Sequence, residues 1–214
     1  MKVDKIQSLY KRASFYQWLF VDFLGWGREL EIFFRQSSYL HPSSRVLDAG
    51  CGTGVITRVL YQLASKRNYL GITFHAFDLT QNMLDVFQKW ITERGATNIE
   101  LQQADVLAVE AFPADWTDYN LIVSSTMLEY LPKHEVAHAL GNLKRLLGNE
   151  SILLIFMTKR NLVTRWLAEK WWKANTYEER EIRDLFRAAG FDKIQFKKFS
   201  RGWSGYIMVI EATK

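Results

Sequence analysis

A single cysteine, Cys51, rules out an internal disulfide and fits a reducing compartment. No stretch reads as a secretory signal, and no apolar run approaches the roughly 18 residues of a membrane span. The expected location is therefore cytoplasmic. Metal-ligand spacing is missing too. His41, His75, His134 and His138 are scattered, and the pair at 134 and 138 lacks an acidic partner at the usual distance, so no metal is expected. Repeats, low-complexity tracts, linkers and a nucleophile–histidine–acid set are also absent.

What is present suits one compact domain. A chain of 214 residues with 48% hydrophobic content can bury one good core. The net charge of +5 and pI near 9.2 are modest. Excess base can serve nucleic acid, an anionic membrane surface or an acidic substrate. Spread along the whole chain at this level, it points to an ordinary soluble surface and away from nucleic acid.

The organising stretch runs from Arg45 to Leu60. A short aliphatic run, Arg45-Val46-Leu47, leads through Asp48-Ala49-Gly50-Cys51-Gly52-Thr53-Gly54 into an apolar helical pattern. This reads as strand, tight turn, helix. Glycines allow the sharp turn and let a ligand approach bare backbone. The helix N-terminus then offers amide groups and a positive dipole end. The dinucleotide fingerprint places its third glycine three residues after the second; here Gly54 follows two after Gly52. No Lys-Ser or Lys-Thr follows, which excludes the phosphate loop of nucleotide hydrolases. Cys51 reads as a small residue fitting the turn, not as a nucleophile.

Asp48-Ala49-Gly50-Cys51-Gly52-Thr53-Gly54 resembles the pattern of class I S-adenosylmethionine-dependent methyltransferases, and further motifs follow in register. The second strand, Ile72 to Phe77, ends at Asp78, placed to accept both ribose hydroxyls of an adenosine. Asp78-Leu79-Thr80-Gln81-Asn82-Met83-Leu84 is similar to the family's Asp-x-Ser-x-x-Met-Leu run. The third strand, from Ile99, leads to Asp105 and Val106. The resemblance implies that Asp105 takes the adenine amino group and that the amide of Val106 reads the ring. Gly50, Gly52 and Gly54, with Asp48 and Cys51 among them, would admit the methionine moiety, and Leu79, Met83 and Ser124 complete the expected cofactor set. The cofactor implied is S-adenosyl-L-methionine.

The fourth strand, Tyr119 to Ser125, continues as Thr126-Met127-Leu128-Glu129-Tyr130-Leu131-Pro132. This is similar to the family's Leu-Glu-His-Leu-Pro turn, beside the methionine end of the cofactor and the acceptor. The Asn- or Asp-Pro-Pro-aromatic signature of base-directed amino methyltransferases is not matched by Ser124-Ser125-Thr126-Met127. Thr126 and Tyr130 stand where quinone-pathway relatives hold a metal. Glu129 reads either as an acceptor base or anchor, or as a cap for the helix from about Lys133 to Leu147. That helix is expected to end at Gly148, with the fifth strand at Ser151 to Phe156.

Residues 1–40 read as an aromatic helical cap, with a break near Gly25-Trp26-Gly27. Tyr10, Ala13 and Tyr16 match a Tyr-x-x-Ala-x-x-Tyr element that, by resemblance, lies over the cleft, although Lys11 and Gln17 replace the family's Asp. Residues 41–214 form the methyltransferase domain, with a basic, aromatic helical insertion at about 160–175. Trp166 in that insertion is a candidate acceptor contact; an acceptor lid, plain core packing and membrane-surface contact all remain open for the segment. Ala188-Ala189-Gly190-Phe191 resembles the ending of the family's penultimate helix, Gly190 being the cap. Two strands close the chain. The implied fold is an α/β, Rossmann-like, seven-stranded, mostly parallel sheet with one antiparallel strand and helices on both faces. The implied activity is methyl transfer to a small or amphipathic molecule, most similar to the quinone-pathway branch. Methyl transfer to protein or RNA, or cofactor binding without catalysis, are the alternatives.

Overall fold

The structure is a computed structural model and describes residues 25–161, 164, 166, 174–199 and 202–214. Seven strands form one sheet in the order β3-β2-β1-β4-β5-β7-β6. They are β1 (Arg45–Ala49), β2 (Thr73–Asp78), β3 (Ile99–Gln103), β4 (Tyr119–Ser125), β5 (Leu147–Thr158), β6 (Lys193–Lys197) and β7 (Ile207–Thr213). Strands β1 to β5 pair in parallel, while β7 runs antiparallel to both β5 and β6. The strand order reverses at β1, which sits between β2 and β4. Open parallel sheets bind ligands at such a point, beyond the carboxyl ends of the strands.

Helices α1 (Trp26–Arg35), α2 (Val55–Lys66) and α3 (Gln81–Arg94) cover one face, and α4 (Val136–Leu146) and α5 (Glu179–Ala188) the other. Strand alternation explains the split. Val46, Phe74, Leu121 and Val123 point toward α1 and α2, whereas Leu47, Phe77 and Ile122 point toward α4 and α5. The glycine break expected near Trp26 marks the start of α1, where Gly25 adopts a left-handed φ of 71°. Leu30 and Phe34 are then buried one turn apart against β4 and β5. Each such side chain stabilises the fold by about 1.5–3 kcal/mol through removal from water.

The largest boundary difference from the sequence expectation falls between α4 and β5. β5 begins at Leu147 and not at Ser151, so α4 stops before Gly148. Leu147 is buried and pairs with Tyr119, and a register irregularity between Tyr119 and Leu121 absorbs the offset. Tertiary pairing outweighs local turn chemistry there. Residues 1–24 of the expected 1–40 cap, with Tyr10 and Tyr16, lie outside the described residues, as does most of the 160–175 insertion.

Candidate functional site

A cavity of about 360 Å³ opens over the carboxyl ends of β1, β2, β4 and β5. The turn from β1 to α2 forms its floor. Gly50, at φ 69°, stands so close to Met127 that an added Cβ would lie 2.3 Å from the Met127 Cγ. Gly52, at φ 54°, has open space where a Cβ would be, and it lines the cavity. Asp48 also borders the cavity, but its Oδ2 is occupied: it accepts from the Thr57 amide at 3.2 Å and the Thr57 hydroxyl at 2.6 Å. Burial pushes the Asp48 carboxyl up to about 6. This residue fastens the first turn of α2 to β1.

Asp78 ends β2 and faces the same space. Its Oδ2 accepts from the Gly52 amide and its Oδ1 from the Thr80 amide, each at 2.9 Å. The carboxylate is thereby fixed in orientation with about two of its four lone-pair positions left over. Burial raises its pKa, and the backbone hydrogen bonds oppose that shift. Asp105 is held similarly, its Oδ1 accepting from the Leu107 amide at 2.9 Å. Leu79, Met83 and Val106 supply apolar walls between the two acids. Cys51 lines the cavity as well, and burial pushes its thiol well up, so it stays protonated and packs as a small apolar group.

Two expected cofactor residues are placed elsewhere. Gly54 is absent from the cavity wall; a Cβ there would meet the Phe87 ring at 2.4 Å, so this glycine serves the packing of α2 against α3. Ser124 is buried within β4, and its neighbour Ser125 borders the cavity instead. The pleat turns successive side chains to opposite faces, so adjacent serines meet different surroundings. Trp166 is 55% exposed and is not part of the described cavity wall.

Glu129 lies in a short 3-10 turn, Leu128–Tyr130, beyond β4. It is 3% exposed and borders the cavity. Its Oε1 accepts from the Thr158 amide and its Oε2 from the Thr158 hydroxyl at 3.0 Å. Its own carbonyl accepts from the Asn175 amide at 2.9 Å. The carboxylate therefore ties to the end of β5 and does not cap α4, whose N-cap residue is Glu135. Burial pushes the Glu129 carboxyl up to about 7, against the two Thr158 hydrogen bonds.

Sequence reasoning missed Thr158, Trp203 and Ile207, all on the wall. Thr158 and Ile207 are register partners at the ends of antiparallel strands. The rule that ligands gather at strand carboxyl ends would have flagged Thr158 once β5 was correctly bounded. Nothing local distinguishes Trp203. Among the described residues, no group of three or more His, Cys, Asp or Glu is arranged to hold a metal ion. No helix among them is long and apolar enough to cross a membrane.

Comparison with known proteins adds four findings. Residues 46–150 match the family described as a methyltransferase domain. Over 88 residues, 41% of this chain and 37% of the relative, the chain is 35% identical to aklanonic acid methyltransferase DauC of Streptomyces sp. (strain C5), so it spans well under half of that relative's length. The fold is similar to magnesium protoporphyrin IX methyltransferase of Synechocystis PCC 6803 with bound S-adenosylmethionine, at a TM-score of 0.63, 18% identity and coverage of 88% of this chain and 80% of that one. It is also similar to phosphoethanolamine N-methyltransferase 2 of Haemonchus contortus, at a TM-score of 0.68, 17% identity and coverage of 88% and 52%.

Proposed function

We propose that the chain is a class I S-adenosylmethionine-dependent methyltransferase, a reading supported by the methyltransferase-domain match and the aklanonic acid methyltransferase relative, and that it transfers a methyl group from S-adenosyl-L-methionine to a small or amphipathic acceptor. The observation that carries this reading is the pose of Asp78. A carboxylate held by two backbone amides at the end of β2, facing a cavity floored by Gly50 and Gly52, suits the paired hydroxyls of a ribose. Asp105 and the Val106 backbone would take the adenine. The room over Gly52 fits the amino-acid end, since a Cβ there would intrude on it.

When bound, the cofactor supplies a methyl group already activated on a sulfonium. The protein's own contribution is alignment, exclusion of water and proton management. Apolar side chains from Met83, Val106, Met127 and Ile207 line the cavity and would help a bound ligand exclude water. Glu129, with a carboxyl poised near neutrality, is the group on the wall suited to hold a proton released by the acceptor.

A crystal grown with S-adenosylhomocysteine tests this reading. Density with the ribose on Asp78 and the adenine beside Asp105 is the expected result. Density for the ligand away from Asp78, or none at saturating ligand, would contradict it.

A further inference from the structure

The half of the cavity away from Asp78 has a different composition. Trp26, the first residue of α1, stands beside Trp203, which lies in the 3-10 turn Gly202–Gly205 before β7. Their ring centroids are 5.1 Å apart at an interplanar angle of 53°. Both indoles border the cavity, next to Ile207 and Thr158. Ile207 is the register partner of Thr158, and Thr158 holds both oxygens of Glu129. A continuous wall therefore runs from two indoles, across one isoleucine, to one buried carboxyl.

This wall is pre-formed. Trp26 also makes edge contacts with Phe156 and Phe199, at 5.9 and 5.5 Å. The turn carrying Trp203 is fixed twice: Ser204 Oγ accepts from the Phe199 amide, and the Asn161 side chain donates to the Gly205 carbonyl, each at 2.9 Å. Flat indole surfaces fixed before binding contribute contact area at little entropic cost.

Resting on the methyltransferase reading, we propose that this wall is the acceptor subsite and that it takes a planar, hydroxyl-bearing aromatic molecule, with its ring against Trp26 and Trp203 and its hydroxyl on Glu129. Indoles also attract cations. An ammonium ion, however, would have to shed its water against a fully buried carboxyl, and desolvating both partners offsets most of their attraction. A carboxylate acceptor would face Glu129 with the same charge, with Asp78, Asp105 and Glu135 on the same cavity wall. A neutral hydroxyl donates to Glu129 and loses little hydration.

Calorimetric titrations in the presence of saturating S-adenosylhomocysteine test the assignment, using 2-naphthol, 2-naphthoate and 2-naphthylmethylammonium as probes. The expected order is 2-naphthol tightest, with each charged probe at least about tenfold weaker. Trp203→Ala should weaken 2-naphthol about tenfold and leave the S-adenosylhomocysteine dissociation constant within about twofold. Trp203→Phe should recover most of the naphthol affinity. Either charged probe binding as tightly as 2-naphthol would overturn the subsite, and so would a Trp203→Ala protein with unchanged naphthol affinity. Failure of the unaltered protein to bind S-adenosylhomocysteine would overturn the methyltransferase reading itself.

Discussion

Thr158 engages both oxygens of the Glu129 carboxylate, its amide donating to Oε1 and its hydroxyl to Oε2. Glu129 is nevertheless pushed up to about 7, because burial outweighs those two hydrogen bonds. A carboxyl with that pKa holds a proton for part of the time at neutral pH, as a residue that takes protons from an acceptor must.

The first consequence is kinetic. Turnover on a hydroxyl acceptor should rise with pH through about 7, as Glu129 ionises. Glu129→Gln preserves the shape and one acceptor toward the Thr158 amide, so it should fold. Its turnover should fall by about a hundredfold or more and lose the inflection near 7. A pH–rate profile on both proteins checks this; an unchanged profile in the variant would remove Glu129 from proton handling.

The same shift has a consequence for stability. The folded-state pKa of Glu129 lies above its ordinary value of 4.5. The unfolded chain therefore gives up this proton first as pH rises, and between about 4.5 and 7 folding is progressively penalised. Denaturant midpoints at pH 5 and pH 8 should show the unaltered protein losing roughly 1–3 kcal/mol more than Glu129→Gln over that interval. Equal changes in the two proteins would mean that Glu129 is hydrated.

His75, within β2, works in the opposite direction. It stacks on Trp116 at 4.7 Å, and its Nδ1 lies 2.6 Å from the Tyr119 hydroxyl. Burial lowers its pKa from 6.5, with Arg45 adding to the shift. Its contribution to stability is present above 6.5 and is lost as pH falls below that value through its folded pKa. The imidazole carbon resonance in an NMR titration should move with a midpoint below 6.5, and a midpoint above 6.5 would contradict the burial argument.

Substitutions at Gly50 and Gly54 should separate binding from packing. Gly54→Ala places a methyl 2.4 Å from the Phe87 ring at a φ of 80°. It should cost about 1–3 kcal/mol of stability through overpacking, while the folded fraction binds S-adenosylhomocysteine almost normally. Gly50→Ala instead drives Met127 from a cavity wall, and should weaken that ligand by tenfold or more. Thermal melts beside calorimetry distinguish the two; equal losses of ligand affinity would put Gly54 back in the site.

Much of this arrangement was legible in the residues themselves. The β1 turn and the acids ending β2 and following β3 occupy the wall as expected, because local glycine chemistry and strand periodicity fix them over short distances. The placements that differ from expectation arise where distant partners decide. Gly54 meets Phe87 from another helix, Ser124 yields to Ser125 through the phase of β4, and β5 starts early because Leu147 pairs with Tyr119. Trp203 joins the wall only because β7 inserts beside β5, bringing Ile207 to Thr158. No spacing within the chain announces that meeting.

The most direct test of the central claim is a calorimetric comparison of S-adenosylhomocysteine and NAD on the unaltered protein and on Asp78→Ala. Hydrogen bonds to a charged acceptor contribute about 1.5–3 kcal/mol each. The account predicts saturable S-adenosylhomocysteine binding, no detectable NAD binding, and a loss of about ten- to a hundredfold or more in affinity for the variant, which should still melt cooperatively. NAD binding without a response to S-adenosylhomocysteine, or an unchanged dissociation constant in Asp78→Ala, would contradict it.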